Sequence, residues 1–310
     1  MKKNILIIKH GSFGDIVLAT GAFKTIKNYF PEHKIYLLTS LKYIDFIKKS
    51  PFFYDFIIDN RNPFYFFLKN FFLIKIIVNK KFEYIIDLQN SQRTFLYNII
   101  FRIFTKSKIS SSRPLAHYKY NIPKQGIEHV TEGLNNQLSQ IGINNFFKPN
   151  IDWLNNDIKE NIINKPYIII IPGTSKKGIY KRWPSKNFAE ISRFLYKKNY
   201  SILVVGNESD YEAAIDIFNI CPDAINLLGK SPPDILYKLA MKSKFIISND
   251  TGPAMLVSLT DKPLIWIVND NNISLSNKPI GKNVYKISAN SIKNISVEEV
   301  KNKLLEKNLI

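Results

Sequence analysis

Three short segments of the sequence place glycine beside polar or charged side chains directly after an apolar run. The first is residues 9–15, with the sequence KHGSFGD, and it leads into a helix-like stretch. Its two glycines allow a tight turn, and the helix start offers free backbone N–H groups to an anion. The spacing matches neither the dinucleotide fingerprint nor a Walker loop. Asp15 is a candidate proton acceptor, and the alternative is that it only caps the helix.

The second segment, residues 171–185 (IPGTSKKGIYKRWPS), combines hydroxyl groups with a basic pair. Thr174 and Ser175 can donate hydrogen bonds to phosphate oxygens, and Lys181 can add a compact positive charge beside them. These residue types favour a phosphate site. The alternative is a solvated lysine-rich loop in which Trp183 packs as a hydrophobic plug.

The third segment, residues 246–256 (IISNDTGPAML), is again the end of an apolar run, a polar turn and a helix start. Thr251 and Gly252 would present backbone donors to an anion, or the turn simply caps a helix. Two such turns in one domain are a stronger signal than either alone, because open α/β sheets bind ligands at the carboxyl ends of their strands.

Short Ile-, Val- and Leu-rich runs alternate with helix-like stretches, which is typical of parallel sheets flanked by helices. The predicted strands are Ile5–Ile8, Lys34–Leu38, Phe56–Ile58, Tyr84–Asp87, Tyr167–Ile171, Ser201–Val205, Phe245–Ser248 and Leu264–Val268. The predicted helices are Val17–Tyr29, Leu41–Lys49, Phe64–Val78, Lys186–Lys198, Asp210–Phe218, Pro233–Met241 and Gly252–Leu259. The pattern predicts an α/β fold of two Rossmann-like domains, 1–155 and 165–295, with a terminal helix at 296–309 that can pack back on the first.

The chain of 310 residues carries 44 Lys and Arg against 25 Asp and Glu, a formal net charge of +19. The first 150 residues hold +13 of this excess, which points to an anionic ligand on that half. Much of the charge also reflects a lysine-rich composition, and a nucleic-acid-binding protein is a competing interpretation. The single cysteine, Cys221, excludes a disulfide framework, and with only four scattered histidines it excludes a zinc cluster. We expect a reducing, cytoplasmic compartment.

Apolar stretches are too short for export or for a membrane span. The run before Lys9 is shorter than a signal-peptide core, and residues 63–78 are interrupted by Lys69 and Lys75. Within residues 63–78, large apolar side chains follow helical spacing: Phe64, Phe67, Leu68, Phe71 and Phe72. This spacing predicts one apolar helix face. We expect it to be buried against the first sheet, and the alternative is a helix lying in a membrane interface.

Four motifs together resemble those of glycosyltransferase family 9, the ADP-heptose:lipopolysaccharide heptosyltransferases. They are Gly14-Asp15 after the first strand, residues 87–94 (DLQNSQRT), residues 181–184 (KRWP) and residues 249–253 (NDTGP). The resemblance covers nearly the whole chain. It implies the GT-B fold, in which two Rossmann-like domains face a central cleft, with the acceptor on the N-terminal domain and the sugar nucleotide on the C-terminal one.

The resemblance also implies a reaction. A heptose, or a related sugar, would pass from ADP-heptose to an anionic lipopolysaccharide core by direct displacement with inversion. Asp15 would be the base, and Lys181 would neutralise the departing diphosphate. No D-x-D pair occurs in the sequence, so we expect no metal and no other cofactor. The acceptor implies peripheral contact with the inner face of the inner membrane, and no nucleic-acid partner is expected.

Further residues are candidates for binding. Donor contacts are expected from Thr174, Ser175, Arg182, Glu208, Asp250, Thr251 and Gly252. Acceptor contacts are expected from Gly14, Gln89, Arg93, Arg113 and Lys119. Glu208 follows a strand, where an acidic residue can bind a ribose hydroxyl or simply favour a helix start. Met255 stands where the family usually has His, which leaves open a nucleotide-binding relative that has lost catalysis or uses another sugar.

Overall fold

The computed structural model describes residues 3–63, 67–124, 127–154, 165–270 and 276–310, with the side chains of 67–69 left out. The chain divides into two compact units, Met1–Trp153 and Leu154–Ile310. Each contains a six-stranded sheet in which all strand pairs are parallel. The predicted α/β fold with two Rossmann-like domains is confirmed.

The first unit has strands β1 (Asn4–Ile8), β2 (Lys34–Thr39), β3 (Asp55–Ile58), β4 (Phe82–Asp87), β5 (Lys108–Ser111) and β6 (Tyr118–Lys119). Its helices are α1 (Phe13–Tyr29), α2 (Ile44–Ile47), α3 (Phe67–Asn79), α4 (Gln92–Phe104) and α5 (Val130–Ser139). The strands lie in the order β3-β2-β1-β4-β5-β6. Ile5 to Ile8 of β1 are fully buried, as expected of a parallel strand covered on both faces.

The second unit has strands β7 (Tyr167–Ile171), β8 (Ser201–Gly206), β9 (Ile225–Leu228), β10 (Ile246–Asn249), β11 (Leu264–Asn269) and β12 (Val284–Ala289). Its helices are α6 (Ser185–Lys197), α7 (Tyr211–Ile220), α8 (Pro233–Lys242), α9 (Gly252–Ser258) and α10 (Val297–Glu306). The strands lie in the order β12-β11-β10-β7-β8-β9. Val297, Val300 and Leu304 of α10 belong to the core of this unit, which corrects the expectation that the terminal helix packs on the first domain.

Both sheets have the same connectivity. In each unit the first strand lies inside the sheet, and the next two strands are added beside it toward one edge. The last three strands are added on the other side of the first strand. The strand order therefore reverses between β1 and β4 in the first unit and between β7 and β10 in the second, and these positions are the switch points of the two sheets. Open α/β sheets bind ligands beyond the carboxyl ends of the strands at such a switch point. Residues 9–15 follow β1, residues 172–182 follow β7 and residues 250–252 follow β10, so all three predicted segments lie at a switch point.

All eight predicted strands are present, and β5, β6, β9 and β12 are additional. Two helices, α4 and α5, are also additional. α4 is apolar on most sides and α5 is mostly polar, so neither shows a clear apolar period. The stretch predicted as one helix at Leu41–Lys49 is a 3₁₀ turn at Leu41–Tyr43 followed by the single turn α2.

The buried face of α3 differs from the predicted one. Leu73 and Ile77 pack into the core, whereas Phe71 and Phe72 are exposed. The expected burial is therefore wrong for these two rings, while Phe64 and the side chains of Phe67 and Leu68 lie outside the described residues. None of the helices in the described ranges is long and apolar enough to cross a membrane.

Candidate active site

Asp15 lies in the first turn of α1. The backbone N–H of Ser12 donates to Asp15 Oδ2 at 2.8 Å, and the Ser12 hydroxyl donates to the same oxygen at 3.2 Å. Its other oxygen, Oδ1, accepts no hydrogen bond from the residues that the structure describes, and the side chain is half-buried. Asp15 is thus the N3 residue of a capping box whose N-cap is Ser12, and its role as a base stays a prediction.

Backbone contacts fix the loop that leads to Asp15. Gln89 Oε1, at the end of β4, accepts hydrogen bonds from the N–H groups of His10 at 2.9 Å and Gly11 at 3.2 Å. The Ser40 hydroxyl donates to the carbonyl of His10 at 3.0 Å. Gly11 has φ of 103°, a conformation that favours glycine. Gln89, predicted to contact the acceptor, thus uses its carbonyl oxygen to hold the loop.

A buried carboxylate, Asp59, anchors the same loop from beyond β3. Its Oδ2 lies 3.0 Å from His10 Nε2 and accepts from Arg93 Nε at 3.0 Å and from the Tyr97 hydroxyl at 2.8 Å. Burial alone would raise the pKa of Asp59, but hydrogen bonds from His10 and Arg93 outweigh it and hold the pKa well below its usual range. Arg93 also donates to the carbonyl of Asn62, so this predicted acceptor residue is held in an internal network.

Lys9 brings a buried amine to the switch point of the first sheet. Its Nζ donates to the carbonyl of Leu88 at 3.1 Å. Burial lowers the pKa of Lys9, and the charges of Asp15 and Asp87 oppose that shift. Asp87 is fully buried at the end of β4, where burial raises its pKa against hydrogen bonds from Asn90 and other neighbours. Lys9 therefore interacts electrostatically with one carboxylate on α1 and with another at the end of β4.

The other predicted acceptor residues differ in exposure. Gly14 is buried within α1. Arg113 is half-buried, and its Nε donates to the carbonyl of Asn90 at 2.7 Å, just beyond β4. Lys119 is exposed on β6, the edge strand. Arg113 and Lys119 are thus the two predicted acceptor cations whose charge is most open to a ligand.

Lys181 and Asp250 meet in the second unit, although 69 residues separate them. Lys181 Nζ donates to Asp250 Oδ2 at 2.6 Å, and the side chains are 24% and 7% exposed. The contact joins the loop after β7 to the turn after β10. Two residues predicted separately as a phosphate contact and a donor contact therefore form one charged pair at the switch point.

Thr174 and Arg182 shape the loop after β7. The Thr174 hydroxyl donates to the carbonyl of Gly178 at 2.9 Å and accepts from Arg182 Nε at 3.2 Å. Arg182 also pairs with the buried Asp210 at 3.3 Å. A Cβ on Gly173 would lie 2.1 Å from Cγ of Asp210, so only glycine fits there. The polar groups of Thr174 and Arg182 are thus engaged within the protein, whereas Ser175 is exposed.

Asn249, the last residue of β10, holds the loop after β7 beside the turn after β10. Its Oδ1 accepts from the N–H of Trp183 at 3.0 Å, and its Nδ2 donates to the carbonyl of Pro172 at 2.7 Å. Trp183 is buried and donates through Nε1 to the carbonyl of Ile295 at 2.8 Å. Trp183 is therefore the plug that one interpretation expected, and the same loop also presents Lys181 to Asp250.

The remaining donor candidates lie near these turns. Glu208 is exposed and begins a 3₁₀ turn after β8, with Gly229 packed beneath its side chain. Thr251 is the N-cap residue of α9 and Gly252 its first residue. Met255 is buried. Within the described part of the chain, no three His, Cys, Asp or Glu side chains are grouped as metal ligands, and metal independence stays a prediction.

Sequence reasoning missed Asp59 and Tyr97. It also gave no role of their own to three residues inside the quoted motifs: His10, Asp87 and Asn249. One signal was available, because Asp59 directly follows β3 while Asp87 and Asn249 end β4 and β10. A polar residue at the carboxyl end of a parallel strand lies at the edge where ligand sites form. Tyr97 gave no such signal, since it lies within α4.

A family model described as glycosyltransferase family 9 (heptosyltransferase) matches residues 71–307. The chain belongs to this family. Among curated relatives, lipopolysaccharide heptosyltransferase 2 of Salmonella typhimurium is 28% identical over 106 residues, 33% of this chain and 30% of that protein. The match thus spans less than a third of that relative. Lipopolysaccharide heptosyltransferase 3 of Escherichia coli is 22% identical over 284 residues, 81% of this chain and 79% of that protein.

Solved structures of this family share the fold. The E. coli ADP-heptose lipopolysaccharide heptosyltransferase II aligns over 100% of both chains with a TM-score of 0.76 and 18% identity. The E. coli heptosyltransferase WaaC, solved with ADP-2-deoxy-2-fluoro heptose, aligns over 98% of this chain and 99% of that one, with a TM-score of 0.78 and 17% identity. The GT-B fold class is therefore confirmed for this family 9 chain.

Proposed function

We propose that the chain transfers a heptose, or a closely related sugar, from ADP-heptose to an anionic lipopolysaccharide core acceptor. The observation that carries the proposal is the pairing of Lys181 with Asp250 at one switch point, together with a capped but accessible Asp15 at the other. Family membership supports the reaction class. The names of the relatives support the sugar and the acceptor.

In the proposed step the acceptor hydroxyl oxygen attacks the anomeric carbon. The bond from that carbon to the diphosphate oxygen breaks, and the diphosphate leaves with the bonding electrons. Asp15 takes the hydroxyl proton, which becomes more acidic as the oxygen forms its new bond. A single displacement of this kind inverts the configuration.

The second unit supplies the charge for the departing diphosphate. Lys181 is a quarter exposed and paired with a nearly buried carboxylate, so an arriving diphosphate can share or take over its charge. Ser175, Thr251 and Gly252 would add hydrogen bonds to phosphate oxygens. Asp250 and Glu208 would meet sugar or ribose hydroxyls, while Thr174 and Arg182 keep the loop in shape. No metal ion is required in this scheme.

The first unit would hold the acceptor. Arg113 and Lys119 are the proposed contacts for its phosphate and carboxylate groups. Gln89 and Arg93 act through the loop that carries Asp15, and Gly14 keeps α1 close beside the acceptor. Because the acceptor is anchored in lipid, the enzyme would work in the cytoplasm at the inner face of the inner membrane.

Titration with ADP, UDP, GDP and CDP, followed by transfer assays with and without EDTA, tests this function. We expect ADP to bind at least about tenfold more tightly than the others, a difference of about 1.4 kcal/mol. Transfer should continue in EDTA. Activity that disappears with EDTA and returns with Mn²⁺ would exclude the metal-free scheme.

Lys181→Ala tests the diphosphate contact, with Lys176→Ala as the matched control on the same loop. Lys176 is exposed. We expect Lys181→Ala to lower kcat/KM strongly and Lys176→Ala to leave it near the parental value. Equal activity in the two variants would contradict the role of Lys181.

One observation favours a second candidate. Met255 is buried at the position where the family usually has His, and a relative that binds nucleotide without transferring sugar would fit this replacement. Such a protein would bind ADP in the titration and yield no product with any core acceptor.

A further inference from the structure

Two neighbouring helices of the first unit expose a set of large apolar side chains. Helices α3 and α4 pack beside each other on one side of the sheet, where Leu73, Ile77, Tyr97 and Phe101 form part of one core cluster. Their outward sides nevertheless carry exposed apolar residues, here called the α3–α4 face: Phe71, Phe72, Ile76, Leu96, Ile103 and Phe104. Phe72, Ile103 and Phe104 are 61%, 68% and 66% exposed. None of these six residues belongs to the core cluster that contains Leu73 and Tyr97.

The charge of this region is strongly one-sided. Residues 60–127 contain twelve Lys and Arg but only two acidic residues, Glu83 and Asp87. Glu83 pairs with Lys3 and His33, and Asp87 is fully buried, so neither offsets the surface charge of the helices. Neither α3 nor α4 contains an acidic residue.

Basic residues stand beside the exposed apolar ones. Lys75 precedes Ile76 on α3, Arg102 precedes Ile103 on α4, and Lys106 follows closely after Phe104; all three are exposed. Apolar side chains flanked by Lys and Arg are the pattern of a surface that enters the boundary between lipid headgroups and acyl chains. Anionic lipid attracts such cations, and the two effects add.

We infer that the α3–α4 face docks this protein on the surface of an anionic lipid bilayer. Its rings and aliphatic side chains enter the headgroup boundary, and Lys75, Arg102 and Lys106 meet lipid phosphates. An apolar surface of this kind can also bind a second copy of the chain. A two-fold dimer would set this cationic face against itself, and like charges at an interface oppose association.

The inference goes beyond the proposed function, because lipid binding needs neither a sugar nucleotide nor a catalytic base. It also reverses the burial expected for the aromatic stretch. Ile77 is nearly fully buried on α3, so that helix is fixed to the sheet by a different side from the one that carries Phe72. Substitutions on the α3–α4 face therefore leave the core intact.

Sedimentation of the full chain with lipid vesicles tests the inference. We expect binding to vesicles of phosphatidylcholine with phosphatidylglycerol, and little binding to phosphatidylcholine alone. The triple variant Phe72→Ser, Ile103→Ser, Phe104→Ser should lower the partition coefficient at least about tenfold, since it removes most of the apolar area that inserts.

Ile220→Ser with Leu305→Ser, both exposed on the second unit, is the matched control and should bind as the parent does. Arg102→Gln with Lys106→Gln should reduce the preference for anionic vesicles.

Three outcomes would overturn the inference: no binding to anionic vesicles, parental binding by the triple variant, or a solution dimer that the triple variant abolishes. Thermal unfolding of each variant shows whether it is folded. Transfer to a soluble core oligosaccharide should be unchanged in the triple variant. If the parent binds vesicles but transfers no sugar, the proposed function fails and the docking surface stands.

Discussion

Asp15 combines an observed structural contact with a proposed chemical role. Oδ2 accepts two hydrogen bonds from Ser12 and stabilises the first turn of α1, and this contact also fixes the direction of Oδ1. A base held in this way loses little orientational freedom when the acceptor binds, which favours proton transfer. The cap and the base are therefore compatible roles of one side chain.

Asp15→Asn separates the two roles. The amide oxygen of Asn can still accept from the N–H of Ser12, but the side chain can no longer take a proton. We expect kcat to fall by roughly 10²- to 10⁴-fold, the usual contribution of a positioned base, while ADP affinity stays parental. Steady-state kinetics and nucleotide titration measure both quantities.

Ser12→Ala is the control for this experiment. It removes the hydroxyl contact and keeps the carboxylate, so it should retain most of the transfer activity. If Asp15→Asn transferred sugar at the parental rate, another group would have to be the base.

At the level of elements, Asp59 connects three of them. It follows β3, pairs with His10 after β1 and accepts from Arg93 and Tyr97 on α4. The pKa of Asp59 is lowered in the folded protein. The ionised carboxylate therefore stabilises the fold at neutral pH, and this stabilisation is lost as the pH falls from the unfolded pKa toward the lower folded one.

Asp59→Asn should lower the free energy of unfolding at neutral pH by about 3 kcal/mol, because it leaves the nearly buried guanidinium of Arg93 without its charged partner. The gap between parent and variant should narrow as the pH falls below about 4. Urea unfolding across this pH range measures it. Asp45→Asn, which breaks an exposed pair with Lys48, should leave the midpoint unchanged. A gap that is constant with pH would mean that ionisation of Asp59 is not coupled to folding.

Asn249 connects elements in the second unit, where its side chain at the end of β10 satisfies two backbone groups of the loop after β7. Asn249→Ala leaves the N–H of Trp183 and the carbonyl of Pro172 without partners in a buried site, which costs about 1–3 kcal/mol for each unsatisfied group. We expect a lower unfolding midpoint and weaker ADP binding, since the loop carrying Lys181 loses its support. Asn226→Ala, at an exposed position, is the control. Parental ADP affinity in Asn249→Ala would contradict this support.

At the scale of the whole molecule, the chain repeats one sheet connectivity in two units, each with its own core. Residues 165–310 contain β7 to β12, the buried side chains of α10 and the Lys181–Asp250 pair. We therefore expect this fragment to fold alone, to bind ADP and to transfer no sugar, because Asp15 is absent. Circular dichroism melting and nucleotide titration test it, with the Lys181→Ala fragment as the control. A fragment that stays unfolded would show that its core needs the first unit.

Much of the site was predictable because its parts are local. The glycine-containing turns after β1, β7 and β10 could be predicted from residue types and short spacings, and all lie at a switch point. The roles of Gln89 and Arg93 could not be predicted in this way. Arg93 binds Asp59, 34 residues earlier, and Gln89 binds the backbone of residues 10 and 11. Such contacts depend on which strands become neighbours.

The amino-acid sequence by itself determined eight of the twelve strands, the three turns at the switch points and the family, since these depend on apolar runs, turn residues and short motifs. Tertiary structure decided which side of α3 is buried, which polar groups are engaged within the protein, and that Lys181 meets Asp250. The physical reason is that helical spacing marks an apolar face without indicating what will cover it. Contacts between residues far apart in the chain form only when the order of the parallel strands brings their carboxyl ends to one edge.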